Sequence, residues 1–229
     1  MEILILATSI KNSGYCVAGL DLQNNKLIRL ISDDVKSNYA LSRKDITYYN
    51  GILCTPMHIV VADNLTYSPS ANQKENFRID TSKSPVFSFK QMFNDDIVSF
   101  LKKRKVLEPS GNLFMGSKRH FLYENEMKGY QKSLKIYFAK EIYLYQINYD
   151  EVTKKTKANI KIGNNIHKKI SITDPNYYNC NNLTLTNTIL VCSLPDVPYS
   201  CNGNNLYFKF IANIIKTSCT KIYSNETEL

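Results

Sequence analysis

The side chains in this sequence best suited to chemistry are cations and rings. Arginine occurs at Arg29, Arg43, Arg78, Arg104 and Arg119 only. Arg29 interrupts the apolar run Leu27-Ile28-Arg29-Leu30-Ile31, where strand alternation puts Leu27, Arg29 and Ile31 on one face. A guanidinium set in such a ribbon requires a carboxylate, a carbonyl or an anionic ligand. Arg29 therefore reads two ways, as a structural ion pair or as a ligand contact. Arg104 belongs to Lys102-Lys103-Arg104-Lys105, the densest basic cluster, at the end of a helical pattern where cations also favour the dipole's negative end. Lys118 and Arg119 lead into His120-Phe121-Leu122-Tyr123, Tyr177 and Tyr178 are adjacent, and Gln73 and Asn76 supply amides. With a phosphate-bearing partner, Arg29, Lys102, Lys103, Arg104, Lys118 and Arg119 are the candidate phosphate contacts. Tyr123, Tyr177 and Tyr178 are the candidate stacking rings, and Gln73 and Asn76 the polar readers of a nucleic acid or nucleotide.

Reaction chemistry has much less support. His58, His120 and His167 lie far apart with no H-x-H or H-E-x-x-H spacing, and no G-x-S-x-G elbow, P-loop or G-x-G-x-x-G is present. Asp33-Asp34 and Asp95-Asp96 are sequence neighbours, whose side chains diverge on strands and helices alike. The expectation is a protein that is not an enzyme and uses no metal and no cofactor. Cys16, Cys54, Cys180, Cys192, Cys201 and Cys219 form no C-x-x-C pair and read as buried thiols of a cytoplasmic protein.

The 29 Lys+Arg against 20 Asp+Glu give a formal charge of +9, which favours polyanionic partners. The same excess also arises without a ligand in a chain crowded with Lys, Asn, Ile and Tyr. No window approaches the roughly 18 apolar residues of a membrane span, so no membrane association is expected. Oligomeric state is not legible.

The elements that must position these side chains are mostly strands. Ile3-Leu4-Ile5-Leu6-Ala7 reads as a buried first strand, followed by a hairpin from Gly14-Tyr15-Cys16-Val17-Ala18-Gly19 to Leu27-Ile28-Arg29-Leu30-Ile31-Ser32, with an Asn24-Asn25 turn. Residues 33–50 read as a loop, residues 57–62 as a strand, and residues 72–78 as a ligand-reading or solvated loop. From about Ser88 the period changes: Phe93, Ile97, Phe100 and Leu101 recur at helical steps, with Asp95 and Asp96 on the polar side. Pro109-Ser110-Gly111-Asn112 is the candidate boundary.

In the β-prone residues 132–149, Tyr137, Tyr143, Tyr145 and Tyr149 fall on alternate positions, to stack on bases or, for most of them, to pack in a barrel. Ala158, Ile160 and Ile162 alternate with Lys157, Asn159 and Lys161 in the cleanest hairpin, which returns through Ile166, Ile170 and Ile172. Residues 179–187 read as loop, 188–194 as strand, 195–205 as loop, 206–215 as a last strand, and the tail after Cys219 as frayed. The fold expected is mainly β, two small OB-like β-barrels in tandem with a connecting amphipathic helix, residues 1–108 and 109–229.

Several stretches taken in order resemble the bacterial dual OB-containing domain family. They are Ile3-Leu4-Ile5-Leu6-Ala7-Thr8-Ser9, the hairpin just described, Gln73-Lys74-Glu75-Asn76, Ser171-Ile172-Thr173-Asp174-Pro175, Val191-Cys192-Ser193-Leu194 and Phe208-Lys209-Phe210-Ile211-Ala212. The chain departs from the family pattern at Tyr15, Leu27 and Leu30, where that pattern favours Arg, Trp and Pro. The resemblance implies two OB folds and a role in binding nucleic acid or nucleotide, in bacterial defence or mobile-element contexts. Fold alone does not fix function. The leading expectation is a single-strand nucleic-acid binder. The alternatives are a sensor or sink for a small nucleotide and a module that pairs with a toxin, a nuclease or another copy of itself.

Overall fold

In the computed structural model, which describes residues 1–11, 14–130, 132–148 and 154–224, the first sheet grows from the apolar start of the chain. Strands β1 (Glu2–Lys11), β2 (Gly14–Asp21) and β3 (Lys26–Ser32) form an antiparallel meander. The β2–β3 turn closes on Asp21, whose carboxylate accepts from Gln23 N at 2.9 Å and Asn24 Nδ2 at 2.7 Å, while Asn25 takes a φ of 55°. At Gly19 a Cβ would stand 2.6 Å from the Leu4 carbonyl oxygen, so β1 and β2 meet this closely only because the position lacks one.

Strand β4 (His58–Val61) lies on the free side of β1, and β5 (Leu65–Tyr67) pairs with β6 (Asn76–Ile79), itself parallel to β3. Residues 62–64 alone join β4 to β5, a link that reaches about 14 Å at full extension. The sheet, in the order β5-β6-β3-β2-β1-β4-β7 with β7 (Ser88–Met92) last, must therefore curl until these two strands are neighbours.

After the short helix α1 (Ile97–Lys103), the small strand β8 (Phe121–Tyr123) and the one-turn helix α2 (Glu124–Met127), the second half closes completely. Its strands β9 (Leu134–Asn148), β10 (Lys154–Ile162), β11 (Asn165–Ile172), β12 (Leu183–Ser193) and β15 (Phe210–Ser224) run in the ring β9-β10-β11-β15-β12. Three strands meander, the fourth returns beside the first, and the last inserts parallel to the third. This is the five-stranded Greek-key barrel, and the first sheet repeats its pairing pattern. Strands β13 (Tyr199–Cys201) and β14 (Asn204–Phe208) join β8 in a separate three-stranded sheet.

β1 is buried along both faces, as its almost unbroken apolar sequence requires. Ile3 and Ile5 enter the first core with Val17, Ile28, Leu30 and Val60. Leu4 and Leu6 face the other way, into an apolar layer that they share with Leu134 and Ile136 of β9, Ile189 and Val191 of β12, and Ala212 and Ile215 of β15. Polar bonds stitch this layer: Ile10 N donates to Thr173 O, Asn213 Nδ2 to Leu6 O and Gln73 Nε2 to Leu194 O, each at 3.0 Å. Among the described residues no helix is long and apolar enough to cross a membrane.

The mainly β, two-barrel architecture agrees with the sequence, and the differences are local. The helical pattern read from Ser88 begins only at Ile97, where the Asp96 carboxylate caps Ser99 N at 2.8 Å; Ser88–Met92 instead pairs with β4. Residues 76–79 form a parallel strand, residues 183–187 belong to β12, and residues 199–201 form a strand inside an expected loop. Residues 220–224 continue β15 as it pairs with β12, instead of fraying. Cys54 and Cys192 are buried as expected, but Cys219 is exposed.

The expected last strand is split in two at Lys209, whose ammonium is fully buried and donates to Phe114 O at 2.7 Å and to Ser117 O and Ser117 Oγ at 2.8 Å. Replacing it, Lys209→Met, removes the donor from two buried carbonyls and should cost about 3 kcal/mol in a denaturation curve. Burial also pulls the Lys209 ammonium down to about 7. Below that pH native and unfolded chains are both protonated at this lysine. Above it, and up to the unfolded value of about 10.4, only the unfolded chain keeps the proton. Because the unfolded chain binds the extra proton, stability linked to this lysine rises with pH, so the advantage of wild type over Lys209→Met should be smallest below about 7 and widen as pH rises through this window.

Candidate nucleic-acid interface

Strands β10 and β11 carry Lys154, Lys155, Lys157, Lys161, Lys168 and Lys169 and no Asp or Glu. Ala158, Ile160, Ile162, Ile170 and Ile172 fill the barrel, so alternation turns Lys155, Asn159 and Lys161 outward, while Lys157 on the same side is covered, 8% exposed, and donates from Nζ to Ser171 Oγ at 2.8 Å. The register shifts between Ala158 and Ile160, where Lys168 and Lys169 together oppose Asn159. Lys169 has a φ of 62° and its N–H donates to Asn159 Oδ1 at 3.2 Å. This bulge brings two consecutive lysines to the surface where a regular strand would bury one.

Beside this row, on β9, the rings of Tyr143 and Tyr145 stack at 5.6 Å and 16°, in register with Asn159 and Lys157. Their hydroxyls donate to Asn182 Oδ1 at 3.1 Å and Asn159 Oδ1 at 3.4 Å. Tyr143, Asn159, Lys161 and Ile166 line a shallow concavity of about 440 Å³.

The three-stranded sheet adds more rings. Leu122 and Tyr207 face the second core, which leaves Phe121, Tyr123, Tyr199 and Phe208 on the other side, with Tyr199 66% exposed. The Phe121 and Tyr123 centroids are 5.2 Å apart and those of Tyr199 and Phe208 6.0 Å. Arg119 pairs with Glu126 and holds its guanidinium 5.1 Å from the Tyr123 ring. His120, stacked on Phe208 at 5.9 Å, is kept below its ordinary pKa by burial and then by the charges of Lys157, Lys169 and Lys209. The ring-bearing sheet thus lies within electrostatic reach of the lysine hairpin.

Of the residues the sequence singled out, Lys118, Arg119 and Tyr123 come together on this side. Lys102 and Lys103 are exposed at the end of α1. Arg104 is committed, donating to Leu22 O at 2.9 Å and to Asn25 Oδ1, with its guanidinium 4.5 Å over Phe100. Arg29 is 2% exposed and pairs with Glu75 at 3.3 Å, a side chain that also accepts from Ser133 Oγ. Asn76 Oδ1 accepts from Arg29 at 3.3 Å, and Asn76 Nδ2 donates to Gln73 Oε1 at 3.2 Å. Arg29, Gln73 and Asn76 thus form a buried network in which Arg29 takes its structural reading.

Tyr177 is buried in the second core, which pushes its hydroxyl up to about 12. Tyr178, half-buried, gives its carbonyl to Thr156 Oγ1 at 2.6 Å. Tyr137 is also in that core, and Tyr149 lies outside the described residues. The sequence reading missed the lysine row and Tyr199, although six lysines without an acid in one hairpin were a visible signal.

The profile of the dual OB-containing domain matches residues 1–214. The chain belongs to this family. Among solved structures, the dual OB chain is similar to a murine DNA-binding protein bound to double-stranded DNA, at 9% identity and a TM-score of 0.30, covering 97% of this chain and 96% of that one. The HINa domain of Ifi202 in complex with 20-bp double-stranded DNA is similar at 9% identity and a TM-score of 0.32, with 97% and 94% covered. These likenesses are too distant to bear on what the dual OB chain binds. No functionally curated protein matches it.

Removing the guanidinium, Arg29→Ala, strands the Glu75 carboxylate in a nearly closed site and should cost about 3–5 kcal/mol in a denaturation assay. Lys103→Glu, on an exposed helix end, should leave stability within about 0.5 kcal/mol of wild type in the same assay.

Proposed function

We propose that this protein binds single-stranded nucleic acid along the outer face of its second barrel and performs no reaction of its own. The observation that carries this reading is the β10–β11 hairpin, whose strands expose Lys154, Lys155, Lys161, Lys168 and Lys169 and carry no acid, set beside the stacked Tyr143–Tyr145 pair. Lysines along a barrel face neutralise phosphates and release counterions, and outward rings stack on bases. Base faces are available in a single strand and hidden in a duplex, so the rings favour the former. Lys118, Arg119, Tyr123 and Tyr199 extend the same surface.

Fluorescence anisotropy with a labelled single-stranded DNA, a single-stranded RNA and the matching duplex, at two salt concentrations, tests the reading. Single strands should bind more tightly than the duplex and weaken steeply with salt. The double variant Lys161→Glu/Lys168→Glu should flatten the salt slope by roughly 1.4, at about 0.7 for each phosphate no longer neutralised. Tyr143→Ala should cost about 1–3 kcal/mol of binding at constant fold. Preference for the duplex, or unchanged affinity in both variants, overturns the reading.

A further inference from the structure

A second concave surface lies away from the lysine hairpin, between the β2–β3 turn, β6 and the start of β9, with a volume of about 820 Å³. We infer that this cleft binds one nucleotide unit, its phosphate on lysines, its base against an exposed tyrosine and a base or sugar donor directed to Glu75.

Lys26, Lys74, Lys105 and Lys132 come from four separate segments and converge on the cleft, all of them exposed. Among the described residues none of the four is ion-paired. The acids around them are engaged elsewhere: Asp21 closes its own turn, Glu108 faces Lys135 Nζ at 3.4 Å, and Glu75 pairs with Arg29. Four unspent positive charges around one concavity fit a phosphate, whose oxygens accept from several ammonium groups at once.

Two further features require more than an anion. Tyr67 lines the cleft with 58% of its surface exposed, braced by the Phe77 ring at 5.4 Å, and offers a flat apolar face to a base. In the wall beside it, the Glu75 side chain is 9% exposed. Its Oε1 serves Arg29 and Ser133, but its Oε2 is buried and has no hydrogen-bond partner among the described residues. A buried carboxylate oxygen without a donor is costly, and a ligand N–H or O–H relieves that cost. Inorganic phosphate has the charge but no ring. A nucleotide has the charge, the ring and the donors, and the volume accommodates one.

The unit can arrive as a free mononucleotide or as the phosphorylated end of a strand. Isothermal titration of the full chain with GMP, AMP and inorganic phosphate, and of its Lys161→Glu/Lys168→Glu variant with one short single strand with and without a 5′-phosphate, separates these sources. The expected result is saturable binding of a mononucleotide or of the phosphorylated strand, at least tenfold tighter than inorganic phosphate. Lys74→Glu/Lys132→Glu should weaken it at least tenfold. Tyr67→Ala should weaken the nucleotide arms and leave inorganic phosphate unchanged. All three positions are exposed, and thermal melts establish that the variants fold.

Lys161→Glu/Lys168→Glu should leave mononucleotide binding intact, which keeps failure of the hairpin surface distinct from failure of the cleft. The inference is overturned if neither nucleotide source binds saturably, if inorganic phosphate binds as tightly as the nucleotides, or if the Lys74→Glu/Lys132→Glu variant binds like wild type.

Discussion

A guanidinium cannot be buried alone, and the answer this protein gives to that constraint organises its centre. Arg29 sits on β3 with Glu75 as its partner, and the same two residues are joined through the backbone, Arg29 N donating to Glu75 O at 2.9 Å. That contact begins the parallel pairing of β3 with β6. Glu75 also takes the Ser133 hydroxyl at the entrance to β9, and Gln73, two residues earlier, donates to Leu194. One ion pair thus sits where the first barrel is completed and where it touches the second. Buried pairs seldom add much net stability over an apolar replacement, but losing one partner is severe. The pair therefore acts mainly to fix register, and Glu75 also stands in the wall of the cleft.

What the sequence made legible was short-range. Alternation found the hairpins because one face of each must be apolar, and the Asn24-Asn25 turn announced itself through the residue types that tolerate positive φ. The overlong helix arose because Ser88–Met92 has no strong pattern; its pairing with β4 is a long-range event. Residues 72–78 looked polar enough for a loop because Arg78 and Lys74 face solvent while Asn76 and Gln73 are buried in a bonded network.

The candidate surfaces were harder to read for a related reason. Tyr137 and Tyr143 occupy equivalent alternate positions in the sequence, yet one is core and the other surface, because Lys140 and Glu141 both face outward and the inward parity changes across them. The bulge at Lys169 does the same for the lysine row. The cations of residues 102–105 divide their roles: Arg104 clamps the β2–β3 turn and Lys105 faces the cleft. Residue type named the chemistry, but only the three-dimensional register decided which copies of it are available. The arginines show the same limit, since Arg29 and Arg104 are both spent on holding backbone in place.

The apolar layer around β1 has an architectural consequence. Its residues come from β1 and β2 on one side and from β9, β12 and β15 on the other. Severing the chain between its barrels would strip the cover from both at once, leaving each with an open greasy wall of Leu, Ile and Val in water. Tandem barrels are usually pictured as beads that can be shuffled, duplicated or expressed singly. Here the two barrels share one wall, so a larger side chain placed on one side of it needs room on the other.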